Sequence, residues 1–205
     1  MVELTKEDLE ELQGIVGAVE GAKNIIAMAV NVSFLFTKEC AKEQLASVPS
    51  EYRMELINPS GTKIGDLTVV PKEFADALVD RHFKHYVVVQ LVLMAIRDSC
   101  CRPYGLIESF CKKKDCLPLM KEAPWYNYAR LVRNALSHDF HISFTKANIQ
   151  DDVEWNGVTI PKEADGKLLT FEYYGSKQWL ELHKQMIDFL NKLPSNIEAN
   201  SAKTM

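Results

Sequence analysis

KEFADALVDRHFKHYVVVQLVLMAIRD, from Lys72 to Asp98, holds no residue that breaks a helix, and its second half is apolar on nearly every side. A helix of that kind belongs in the middle of a bundle or in a membrane. Two apolar runs need the membrane test: Tyr86–Ile96 here and Ile25–Phe36 upstream. Each is well short of the roughly 20 residues a spanning helix requires, and each carries an amide, Gln90 and Asn31. Both therefore read as buried helices of a soluble core, and the chain as mainly α.

Outward from that helix the pattern changes twice. Upstream, Pro71 suits a first helical position. Before it, Tyr52–Ile57 and Leu67–Val70 flank the turn-rich NPSGTKIGD, which predicts a short hairpin or an extended excursion. Nearer the start, Thr5 and Asp8 have the spacing of a capping box, followed by Leu9, Leu12, Ile15, Val16 and Val19 at helical intervals. Gly14, Gly17 and Gly21 weaken this helix by about 1 kcal/mol each. They either allow close helix packing or divide it near Gly21, with a second helix from about Asn24 to Ser47.

Downstream, Ser99–Pro103 reads as a break, followed by a shorter helix over about Tyr104–Lys113. Pro118 and Pro124 bracket a linker into a helix over Trp125–His138. His141–Tyr174 is strand-like: HISF, VTI and LLTFEYY are separated by the turn signals Asn156-Gly157 and Asp165-Gly166. A last amphipathic helix, about Ser176–Leu193, buries Trp179, Leu182, Met186, Phe189 and Leu190. The expected architecture is one helical-bundle domain over residues 1–193 with β-hairpin insertions, the main one at about 142–175. Residues 194–205 are expected to be a flexible tail.

Composition narrows the function. The 205 residues are 47% hydrophobic and 25% charged, with a net charge of −4, which excludes disorder and argues against indiscriminate coating of nucleic acid. The first residues, MVELTKEDLEEL, are acidic and amphipathic where a secretory leader would be basic and then apolar. With five cysteines, an odd number, free thiols in a reducing cytoplasm are expected. Cys100 and Cys101 are adjacent, and Cys111 and Cys116 enclose four residues, so neither pair makes a zinc knuckle. His82 and His85 share a helix face without an acidic partner motif. No phosphate loop, nucleophile elbow or acidic array for a divalent metal is visible, so no cofactor is expected.

One segment stands apart: YARLVRNALSHD, from Tyr128 to Asp139. At about 100° per residue, Ala129, Leu131, Val132, Ala135 and Leu136 fall on an apolar arc. Arg130, Arg133, Asn134, Ser137 and His138 fall opposite, an arrangement that is either a solvated face or a site. The run RNALSH resembles the R-x4–6-H motif of the HEPN superfamily, in which a polar residue often follows the arginine, as Asn134 does here. The motif of that family lies near the end of a late helix in a mainly four-helix bundle, and the likeness extends loosely over Asn24–His138 and the last helix.

The resemblance implies a metal-independent endoribonuclease or RNA-binding protein, of the kind found among toxins and defence components. Two copies of the motif would meet across a homodimer. His138 would move protons at the 2′-hydroxyl or the leaving 5′-oxygen, which an imidazole can do near neutral pH. Arg133 would hold the scissile phosphate, and Asn134 would orient the imidazole or phosphate. From Arg81 to Gln150, 11 Lys and Arg outnumber 5 Asp and Glu. Arg130 and Lys112, Lys113 and Lys114 are therefore candidate RNA contacts, unless the lysines merely close a helix end. The alternative is a catalytically silent HEPN-like module that dimerises or scaffolds an antitoxin or nucleotidyltransferase.

Overall fold

A computed structural model describes residues 4–37, 52–57, 63–69 and 81–203. The chain is mainly helical with two small antiparallel hairpins. Its residues divide into two compact units: 1–26 with 95–205, and 27–94. The sequence suggests a single domain from 1 to 193. Helices α1 (Lys6–Thr37) and α2 (Arg81–Lys113) contribute residues to both units.

In the first unit, α1 starts where the capping box predicts. Asp8 N–H donates to Thr5 Oγ1 at 3.2 Å, and Thr5 N–H donates to the Asp8 carboxylate at 3.0 Å. Leu12, Ile15, Val19 and Ala22 form its buried stripe. The helix does not divide at Gly21. All three glycines look onto open space, so they neither admit a close neighbour nor meet one. Their cost of about 1 kcal/mol each is small beside the burial of that stripe.

The expected break at Ser99–Pro103 is also absent, because α2 carries Pro103 inside it. A proline there removes the N–H that would reach the Ser99 carbonyl one turn back. His183 takes its place: Nε2 lies 2.7 Å from Ser99 O, on a ring with no solvent exposure. His183 sits on α6 (Ser176–Lys203), which runs past Leu193 and through Pro194, where the sequence suggests a tail. The buried stripe Leu182, Met186, Leu190, Leu193 and Ile197 keeps helical spacing beyond Leu193, and that burial holds the extra turns.

Between them lie α3 (Leu117–Lys121), α4 (Tyr126–Ser137) and α5 (Phe144–Ala147). The insertion after α4 is less β-rich than its sequence suggests. Strands β3 (Val153–Trp155) and β4 (Val158–Ile160) close on Asn156-Gly157, with φ of 50° and 73°, as the Asn-Gly cue predicts. HISF makes only an isolated bridge, His141 to Leu168, before Ser143 caps α5. LLTFEYY is a series of turns, with Tyr173 and Tyr174 N–H both donating to Thr170 O. Trp155 stacks on Tyr128 at 4.6 Å, and the Tyr128 hydroxyl donates to Tyr173 O at 2.6 Å, tying the insertion to α4.

In the second unit, β1 (Tyr52–Ile57) pairs with β2 (Lys63–Val69) in a hairpin, one of the two forms the sequence allows, with β2 starting four residues before the expected Leu67 and a register shift at Leu56/Ile57. The run Tyr86–Met94 is not enclosed: Met94 is 66% exposed and Tyr86 61%. The readings made for 38–51, Pro71 and 72–80, Cys40 included, lie outside the described residues. Among the described residues, no helix is long and apolar enough to cross a membrane.

Candidate functional site

The five apolar positions of α4 are fully buried, and Tyr126 and Tyr128 widen that arc. The polar arc is thereby narrowed. Asn134, expected on the open face, is 7% exposed and belongs to the packed boundary. Its Oδ1 accepts from Arg133 Nη1 at 2.9 Å, so the amide is covered by its own neighbour.

The two arginines of this face rest on tyrosine rings. Arg133 Cζ lies 5.7 Å from the centroid of Tyr104, on α2, and Arg130 Cζ lies 5.9 Å from Tyr126. The two rings face one another at 6.3 Å. Burial pushes the Tyr104 hydroxyl well above the ordinary phenol range, with Tyr126 beside it adding to the rise. Tyr104 therefore stays neutral and offers its π face to the cation. Neither arginine forms an ion pair with a carboxylate among the described residues.

His138 follows α4 as its C-cap, with φ −128° and ψ 64°, and its side chain is exposed. Its N–H donates to Ala135 O, and the next two residues, Asp139 and Phe140, are both left-handed, with φ of 54° and 62°. The turn is fastened to the 165–169 segment. Leu169 N–H donates to Phe140 O at 2.7 Å, Ile142 N–H to Lys167 O at 2.8 Å, and Gly166 N–H to Ile142 O at 2.8 Å. Among the described residues, no hydrogen bond joins Arg133 to His138 within one chain.

The lysine cluster takes a different role. Lys112 pairs with Glu108 at 3.1 Å, Lys113 with Glu11 at 2.6 Å and Lys114 with Asp8 at 2.6 Å. Two of the three thus anchor α1. Of the candidate RNA contacts, Arg130 is the one whose charge meets no carboxylate among the described residues, and the motif's Arg133 shares that state. Three neighbours of the motif are not legible in the sequence. Tyr104 sits beyond the supposed break, His141 falls in a strand-like run, and Cys101 lies 3.4 Å from Ser137 Oγ. His141 is exposed, with Nδ1 2.9 Å from Asp139 O, so a second imidazole stands three residues from the first. Among the described residues, no cluster of three His, Cys, Asp or Glu is placed to hold a metal ion. Compared with protein-family models, curated proteins and solved structures, the chain matches none.

Proposed function

We propose that the protein is an RNA-binding, metal-independent endoribonuclease of HEPN type, acting as a homodimer. The observation that carries this reading is the pair of guanidinium groups on α4, seated on tyrosine rings without carboxylate partners among the described residues, beside an exposed His138. Two cations three residues apart on one helix repel each other, and a phosphate diester relieves that repulsion. Arg133, preset by Asn134, binds the scissile phosphate. His138 of one copy removes the 2′-proton, the 2′-oxygen attacks phosphorus, and the protonated His138 of the second copy gives its proton to the departing 5′-oxygen, leaving a 2′,3′-cyclic phosphate. The groups serving one phosphate thus come from both copies, which agrees with the lack of contact between Arg133 and His138 within one chain. The burial of Asn134 favours a second reading, in which the same face is a structural part of a catalytically silent scaffold.

Incubation of pure protein with total RNA in EDTA separates the two. Wild type is expected to cut, leaving cyclic-phosphate and 5′-hydroxyl ends, while His138→Ala loses the cutting and keeps its fold. Exposed positions of that kind usually change stability by less than about 0.5 kcal/mol. Arg133→Ala is expected to lose activity as well, at a stability cost of about 1 kcal/mol, because Asn134 Oδ1 loses its donor. Cleavage that requires magnesium rejects the mechanism, and no cleavage under any condition favours the scaffold.

A further inference from the structure

The turn that ends α2 brings two thiols together. Asp115 is left-handed at φ 52°, Cys116 N–H donates to Cys111 O at 2.9 Å, and Asp115 N–H donates to Lys112 O at 3.3 Å. These are the two bonds of a Schellman termination, which sets the third-from-last helical residue against the residue two past the cap. An apolar contact usually fills that place. Here it is filled by Cys111 and Cys116. Cys111 is fully buried, and Cys116 retains 5% exposure. The other two described cysteines are differently engaged: Cys101 faces Ser137 and Arg133 O, and Cys100 lies beside Tyr174.

We propose that Cys111 and Cys116 are a redox modification site, which a peroxide converts to an intrachain disulfide and a dithiol reductant restores. The turn closes residue 116 back onto residue 111 through their own backbone groups, which sets the two side chains side by side. Cys116 is the attacking sulfur. Its neighbour Cys111 holds its pKa below the ordinary thiol value, whereas Cys111 is itself raised by Cys116 and by burial. The Cys116 thiolate attacks one peroxide oxygen, the O–O bond breaks, and hydroxide leaves and takes up a proton as water. Cys111 then loses its proton, its sulfur attacks the sulfenic sulfur, and the second hydroxide leaves as water. Two thiols and one peroxide give one disulfide and two waters. The sulfurs together lose two electrons, which the peroxide oxygens gain.

The closed ring encloses Lys112, Lys113, Lys114 and Asp115. Lys113 and Lys114 hold Glu11 and Asp8, so oxidation fixes the turn on which the start of α1 is fastened. This site is independent of the function proposed for α4.

The test uses the full chain, treated with hydrogen peroxide, alkylated, and digested without reduction by trypsin and Glu-C. These proteases cut after Glu108, Lys112, Lys114 and Lys121, so Cys111 and Cys116 leave on separate peptides unless a disulfide joins them. The expected product is the joined pair Ser109–Lys112 and Asp115–Lys121, lighter by two hydrogens than the separate thiol peptides and separated again by dithiothreitol. The joined pair is expected to persist in Cys101→Ser. Peroxide-treated protein with both thiols still alkylated overturns the proposal. So does overoxidised Cys116 without a joined peptide, or a disulfide that pairs either cysteine elsewhere. The wild-type peptides alone distinguish these outcomes, whatever the folding of a Cys111→Ser variant.

Discussion

His183 places both ring nitrogens against backbone carbonyls, Nδ1 at 2.8 Å from Trp179 O and Nε2 at 2.7 Å from Ser99 O. A neutral imidazole has one proton to donate, and burial, the larger effect here, holds the pKa below the ordinary histidine value despite both acceptors. A depressed pKa means that the stabilising contribution is present above the unfolded value, near 6.5, and declines as the pH falls. His183→Ala strands the Ser99 carbonyl and is expected to cost roughly 1–3 kcal/mol, read from the urea midpoint. In the double variant with Pro103→Ala, the restored N–H at position 103 recaptures that carbonyl. Part of the loss returns, and the two substitutions are non-additive. Strict additivity would falsify the pairing of Pro103 with His183. The sequence shows Pro103 as a helix breaker because its remedy lies 80 positions further on, on another helix, where no local pattern reaches. The polar position of Arg133, by contrast, is legible from helical spacing, whereas His138 follows the end of the helix, where that spacing no longer applies. The burial of Asn134 is not legible, because Tyr126 and Tyr128 extend the apolar arc further than their polar hydroxyls suggest.

Asp8 has two roles at the head of α1: it closes the capping box with Thr5 and receives Lys114 from the end of α2. The Lys114 ammonium, followed by the Thr5 N–H, lowers its pKa to about 2. A carboxylate so depressed stabilises the fold above the ordinary Asp value and loses that contribution as the pH drops toward 2. The melting temperature of wild type is therefore expected to fall more steeply between pH 4 and pH 2 than that of Asp8→Asn, which starts lower at pH 7. Parallel acid limbs would remove Asp8 from the stabilising set. Elements with local chemistry are legible: the capping box, the Asn156-Gly157 hairpin and the amphipathic α4. LLTFEYY reads as a strand and is not one, because aromatic and β-branched residues favour a strand only where a partner strand exists. Here Tyr174 is buried and Tyr173 O accepts from the Tyr128 hydroxyl of α4, while Leu168 and Phe171 stay exposed.

At the scale of the molecule, the proposed composite site needs two copies of the 23.3 kDa chain. Light scattering at micromolar concentration is expected to give twice that mass, with cysteines substituted at Arg130 crosslinking across the two-fold axis. A monomer that still cuts RNA would sink the composite arrangement. The net charge of −4 opposes self-association only weakly, whereas the arginines of α4 oppose it at the motif itself. The turn behind His138 bears on the same chemistry. Asp139 and Phe140 each sit in a left-handed conformation that costs a non-glycine residue roughly 1–3 kcal/mol. Leu169 N–H holds the Phe140 carbonyl, and two further backbone hydrogen bonds fasten Ile142 to the 165–169 segment. The imidazole is thus the end of a loaded spring, with Gly166, Lys167 and Leu169 as its latch. A change in the 165–169 segment therefore reaches the backbone two residues past His138 directly, through Leu169 N–H on Phe140 O.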